Sequence, residues 1–253
     1  MKPEIQKLWR ATALNTLIAT LLFGALLGAL YLVELFVPAM AGKLLQWSDA
    51  AFCVGIPASV IGVGYILSIK NPANFTGFYI GIVMSALLGV QFYLIGQYDL
   101  TVLYFAVFIP FQIMSIRSWT KSSGSSDEPF SPKFLETKPM LICLLLFIVI
   151  TVADYFFATF VMQKDAVEHN IWANIMSGVM IASSIFANYL LIGKKNDSWI
   201  YWVVYSVAGI VFNTIILNVF SIVLFCFFLI INGSAGIAWI KGTNKENYGW
   251  LKK

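Results

Sequence analysis

FIPFQIMSIRSWTK, Phe108 to Lys121, can be laid over FLIINGSAGIAWIK, Phe228 to Lys241, at an offset of 120 residues. Phe108 meets Phe228, Gln112 meets Asn232, Trp119 meets Trp239 and Lys121 meets Lys241. Further upstream, Thr101 meets Ser221 and Phe105 meets Phe225. A second pairing sets ASVIGVGYILSIK (Ala58–Lys70) over ASSIFANYLLIGK (Ala182–Lys194) at an offset of 124, which brings Phe75 and Phe78 opposite Trp199 and Trp202. Self-similarity over two separated stretches predicts an internal duplication. The change of four residues between the offsets places a shorter outer turn in the second copy.

Each repeated stretch is apolar enough to cross a bilayer. The 253 residues are 60% hydrophobic and only 11% charged, with a mean hydropathy of +0.83. A soluble domain of this size carries roughly twice that charged fraction. Spans are expected at Leu14–Val37, Ala50–Ile69, Phe75–Ile95, Thr101–Ser118, Pro139–Met162, Ile171–Ile192, Trp199–Leu217 and Val219–Ile240. Asn213 and Asn218 are taken to mark the tight turn between the last two. The fold class is therefore all-α and polytopic, with eight transmembrane helices.

Three helices are repeated, and an odd-numbered repeat placed directly after itself is inverted. Pro139–Met162 restores the orientation as a linker, giving parallel repeats in a three plus one plus three order. The expected divisions are an N-terminal anchor helix (1–45), a first three-helix repeat (46–121), a flexible cytoplasmic loop (122–138), the linker helix (139–163), a second repeat (164–241) and a cytoplasmic tail (242–253). The loop is rich in Ser, Pro and charge. Ala39-Met40-Ala41 resembles a signal cleavage site, but Leu14–Val37 is too long for a signal h-region and reads as an uncleaved span. Parallel repeats lead to a site where the two bundles meet.

With the N-terminus inside, fourteen of the sixteen Lys and Arg residues fall on the inner side, and only Lys43 and Lys164 fall outside. That asymmetry puts both termini in the cytoplasm. The net charge of +4 is spread over short loops with no reading motif, so nucleic acid is not an expected partner. Cys53, Cys143 and Cys226 lie in apolar runs with no CxxC, which argues against a zinc site. The one histidine, His169, lies in an outer loop, and no P-loop or metal-ligand helix is present in the sequence. Neither an enzyme nor a cofactor is expected.

Lipid supplies no hydrogen bonds, so mid-span polar residues must face protein or a cavity. Ser221, Phe225, Phe228, Asn232, Gly236 and Trp239 share one helix face, and Thr101, Phe105, Phe108, Gln112, Ser115 and Trp119 share its counterpart. Asn174, Ser177, Ser184 and Asn188 form a third stripe; Trp199, Trp202, Ser206, Gly209 and Asn213 form a fourth. Together these faces are expected to enclose a narrow aromatic-lined cavity. Helix–helix stapling by small and amide residues is the competing explanation. Trp119 and Trp239 stand beside inner lysines and read as interfacial anchors. Trp202 lies about 4.5 Å deeper than Trp199. Pro57 and Pro110 interrupt their helices, as a hinge or a static kink.

The duplicated architecture, FIPFQIMSIRSW with its Gln and closing Trp, and the WIYW of Trp199–Trp202 resemble the PnuC family of vitamin transporters, over about Ala50 to Lys241. WxxW opening this helix is similar to the branch that carries nicotinamide riboside. The resemblance implies a fold like a full-length SWEET sugar transporter, facilitated diffusion across a bacterial cytoplasmic membrane, trapping by a cytoplasmic riboside kinase, and a homotrimer. Thiamine and riboflavin are alternative cargoes within the family; a channel or a non-transporting scaffold is the alternative outside it. Phe75 and Phe78 stand where the second copy has indoles, so the two halves of a site are not equivalent. Nicotinamide riboside is a flat pyridinium cation with a ribose and a carboxamide. Indole faces attract such a ring, and amides both donate and accept. The candidate binding residues are therefore Trp202, Gln112, Asn232, Trp199, Asn188, Phe108, Phe228, Ser184 and Asn213. Asp154, inside the linker helix, is a proton-relay candidate, or a residue that attracts the cation or meets a shallow outer partner.

Overall fold

The computed structural model describes residues 3–37, 42–45, 48–71, 74–123, 132–161, 170–216 and 219–243. His169, Lys164 and Asn218 lie outside them. The described chain is all-helical, with eight helices long and apolar enough to cross a membrane. They are α1 (Pro3–Phe36), α2 (Ala50–Ile69), α3 (Gly77–Leu94), α4 (98–123), α5 (137–161), α6 (Ile171–Ile192), α7 (Asp197–Ile215) and α8 (Val219–Lys241). α1 starts well before the expected Leu14, because Pro3 is pre-set for a first turn and Glu4 complements the helix N-terminus.

By compactness the chain divides into two units, Met1–Ile116 and Arg117–Lys253. In the first, α1 packs on α2, α2 on α3, and α3 on the start of α4. α1 is fastened by polar contacts rather than left as a bare anchor. The hydroxyls of Thr12 and Thr76 lie 2.7 Å apart, Asn74 Nδ2 donates to Thr12 Oγ1, and Asn15 donates to Ser68. α4 carries a π-turn at Leu103–Phe108, directly before Pro110. That residue has no N–H, and its ring displaces the carbonyl four residues back; the wide turn absorbs both faults.

In the second unit α5 packs on α6, α6 on α7 and α7 on α8. α5 is mostly lipid-facing, with Leu141, Leu145, Ile148, Val149 and Phe160 exposed. It meets α6 where a Cβ on Gly178 would stand 2.7 Å from the Thr151 carbonyl oxygen. A backbone atom cannot swing aside. Gly178→Ala is therefore expected to cost about 1–3 kcal/mol and lower the melting temperature. Gly24→Ala, whose Cβ would meet nothing within 4 Å, should be neutral or slightly stabilising. Thermal melts of the two variants check this.

The end of the long loop is docked. Lys133 N donates to Lys194 O at 3.3 Å and Asn196 N to Lys133 O at 2.9 Å. Leu135 N donates to Asp197 Oδ2 at 2.7 Å, and Phe134 and Leu135 are buried. Residues 124–131 of the expected flexible loop lie outside the described residues.

Candidate functional site

The loop end just described holds the start of α7. Asp197 sits in its first turn, and the chain enters through Lys194 in the left-handed region at φ 55°. From there α7 shows two unlike faces. Ile200, Val207 and Val211 are exposed, whereas Trp199 (2% exposed), Trp202 (6%), Ser206 (0%) and Asn213 (5%) are buried. The indoles are thus inside the protein, not in an interfacial belt.

α8 meets that inner face with Asn232 and Gly236. A Cβ on Gly236 would lie 3.2 Å from Trp199 Cβ. Asn232 is fully buried, and its Nδ2 donates to Trp202 O at 3.3 Å and to Ser206 Oγ at 3.0 Å. Below it, Trp202 stands edge-on to Tyr205 at 5.5 Å, Tyr205 meets Phe225 at 5.4 Å, and Phe225 meets Phe228 at 5.8 Å. The ring of Phe225 lies so close to Gly209 that a Cβ there would overlap it. Gly89 takes the ring of Phe105 in the same way in the first unit, and both members of the pair recur 120 residues on.

Among the described residues, Trp199 Nε1, Trp202 Nε1 and Asn232 Oδ1 are buried without a hydrogen-bond partner. Such atoms are costly in a low-dielectric interior. Two donors and one acceptor of this kind on the α7–α8 seam make it the candidate place for a polar ligand.

Other candidates are placed differently. Asn188 Nδ2 donates to Ser184 O, Ser184 Oγ to Ile181 O, and Asn213 Nδ2 to Gly209 O at 2.7 Å. Each spends a donor on its own helix, and Asn213 lies inside α7 rather than in the turn after it. Trp119 and Trp239 are not interfacial anchors: they are 1% and 0% exposed. Their rings lie 5.8 Å apart, Trp239 stands edge-on to Trp199 at 5.4 Å, and Trp119 Nε1 donates to Leu191 O at 3.0 Å. They form a packed backing behind Trp199.

In the first unit, Gln112 (1% exposed) and Phe108 (1%) are buried. Gln112 Nε2 donates to Tyr65 Oη at 3.2 Å, while its Oε1 is buried and has no partner among the described residues, as does Ser85 Oγ. Gly81 leaves room for this amide, since a Cβ there would sit 3.0 Å from Gln112 Oε1 and from the Tyr65 ring. Phe108 stands edge-on to Tyr104 at 4.6 Å. Tyr65, which meets Gln112, and Tyr205, which meets Trp202, are absent from the sequence-derived set; Ser206 stands on its α7 stripe but not among its candidate binding residues. Tyr205 and Ser206 follow Trp202 at helical spacing, which is the signal that points to them. Asp154 is half-buried on α5, one turn after Thr151.

Residues 53–241 match the family model described as nicotinamide mononucleotide transporter. The chain belongs to this family. A solved structure, the crystal structure of the vitamin B3 transporter PnuC, superposes with a TM-score of 0.62 over 91% of this chain and 93% of that one, at 18% identity. At that identity the likeness is one of fold, and it agrees with the all-helical architecture and eight spans expected of this chain. No curated protein sequence matches the chain.

Proposed function

We propose that this protein carries nicotinamide riboside across the bacterial cytoplasmic membrane as a facilitator, and that a cytoplasmic riboside kinase makes entry one-way. The observation that carries this reading is the pair of buried indoles, Trp199 and Trp202, on the same α7–α8 seam as Asn232, with two indole N–H groups and the Asn232 side-chain carbonyl lacking a partner among the described residues. An indole face attracts a desolvated pyridinium by about 2 kcal/mol or more. The amide and indole N–H groups match the carboxamide and ribose hydroxyls. In the same reading α2–α4 and α6–α8 are the two parallel three-helix repeats, α1 precedes them, α5 joins them, both termini are cytoplasmic, and the assembly is a homotrimer. Nothing in this scheme requires a catalytic residue or a cofactor.

A thermal-shift screen of the purified protein against nicotinamide riboside, thiamine and riboflavin tests the cargo. Nicotinamide riboside should give the largest stabilisation, through linkage of binding to folding. A larger shift with thiamine or riboflavin would reassign it. No shift with any of the three would favour a channel or a scaffold.

Gln112→Leu and Asn232→Leu should each impair uptake while the protein stays folded. Each variant also gives up the bonds its NH2 donates, from Gln112 to Tyr65 Oη or from Asn232 to Trp202 O and Ser206 Oγ, so a stability loss of about 1–3 kcal/mol is expected, small enough to leave the protein folded. A lost ligand hydrogen bond costs about 1–3 kcal/mol. Uptake assays beside melting curves decide it: normal uptake with early melting would make the amides structural.

A further inference from the structure

We propose that the site distinguishes a carboxamide from a carboxylate on the pyridinium ring, and that Ser206 is the positioning residue that sets this preference by holding Asn232 as an acceptor. The inference rests on the riboside reading above.

The orientation of the Asn232 amide follows from what surrounds it. The Trp202 carbonyl can only accept. Ser206 Oγ donates to that same carbonyl at 2.8 Å, so its hydrogen is committed and it offers Asn232 lone pairs alone. Asn232 Nδ2 lies 3.3 Å from the carbonyl and 3.0 Å from the hydroxyl. Turning the amide over would set its oxygen against two acceptors. The amide nitrogen is therefore fixed toward α7, and Oδ1 is left buried with no partner among the described residues.

The seam thus offers indole N–H donors from Trp199 and Trp202, and an acceptor from Asn232. A carboxamide has a carbonyl for a donor and an NH2 for an acceptor, so it can satisfy both kinds of group. A carboxylate can satisfy the indoles but presents only lone pairs to Oδ1. Its charge has no cation nearby in the helices of the seam: α7 contains no Lys or Arg, and in α8 only Lys241, the terminal residue, is basic. Burying an anion without a paired cation is unfavourable, and a site built to receive an N–H discriminates strongly against an analogue lacking it.

Nicotinamide riboside and nicotinic acid riboside share the ribose and the ring cation, so their affinity ratio isolates the carboxamide. Calorimetry on the full-length protein should show the amide form binding at least about tenfold tighter. Ser206→Ala should narrow that ratio severalfold, Ser206→Thr should keep it, and Asn232→Ala should bring it near one. Thermal melts confirm that each variant is folded. Equal binding of the two ribosides by the wild-type protein would overturn the carboxamide assignment and leave the riboside reading standing. A ratio unchanged in Ser206→Ala would overturn the role of Ser206. A fall for both ligands in Asn232→Ala with the ratio kept would make Asn232 structural. Failure of the wild-type protein to bind either riboside would instead overturn the riboside reading itself.

Discussion

Trp202→Ala should weaken nicotinamide riboside binding by about 30-fold or more, the equivalent of losing a desolvated cation–π contact of about 2 kcal/mol. Trp119→Ala should act differently. Trp119 is fully buried, bonds to the Leu191 carbonyl and packs on Trp239. Its removal leaves a large cavity, costing about 3–5 kcal/mol of stability, while the folded fraction keeps most of its affinity. Calorimetry and melting curves on both variants separate the two effects. Equal losses of affinity would return Trp202 to a packing role.

Nicotinamide mononucleotide should bind at least about a thousandfold more weakly than the riboside. Its phosphate adds about 1.5–2 negative charges, and desolvating them without a counter-ion costs several kcal/mol. The two helices that carry the indole site offer only Lys241, in the last turn of α8. Lys194 and Lys195 lie outside the helices, at the turn between α6 and α7. The family description names the mononucleotide, so competition between the two ligands is a sharp comparison. Similar affinities would make the mononucleotide the cargo and would require a cation at the site that the α7–α8 seam does not provide.

The spans were legible because hydropathy and length act locally. Seven of the eight helices begin within three residues of where the apolar runs place them; α1 does not, because its first turns are polar and still helical. The face carrying Trp199 and Trp202 was legible too, since a polar stripe within an apolar helix has one stable direction to point. What escaped was the environment at fixed depth. Trp119 and Trp239 stand beside lysines in sequence, which is the pattern of an interfacial anchor, yet both are core residues. Only the tertiary partner, the Leu191 carbonyl for Trp119 or the Trp199 ring for Trp239, decides between those fates. Gln112 and Asn232 align in sequence, but their hydroxyl partners do not. Gln112 reaches Tyr65 on α2, and Asn232 reaches Ser206 on α7. Tyr189, the counterpart of Tyr65 at the second offset, is 56% exposed. The amide positions therefore match between the two aligned stretches while the groups that orient them differ. Asn213 was read as a turn residue because Asn favours turns; inside α7 its side chain bonds back to the Gly209 carbonyl instead.

The most direct measurement is counterflow of labelled nicotinamide riboside in liposomes that contain only this protein, with and without a protonophore, for the wild type and Asp154→Asn. Asp154 lies half-buried within α5, inside a candidate span, and an acid within a span is a proton-relay candidate by default. A facilitator should exchange label to equilibrium, insensitive to the protonophore and to the Asn substitution. Absence of counterflow, or uphill accumulation driven by an imposed pH gradient and lost in Asp154→Asn, would contradict facilitated diffusion of the riboside.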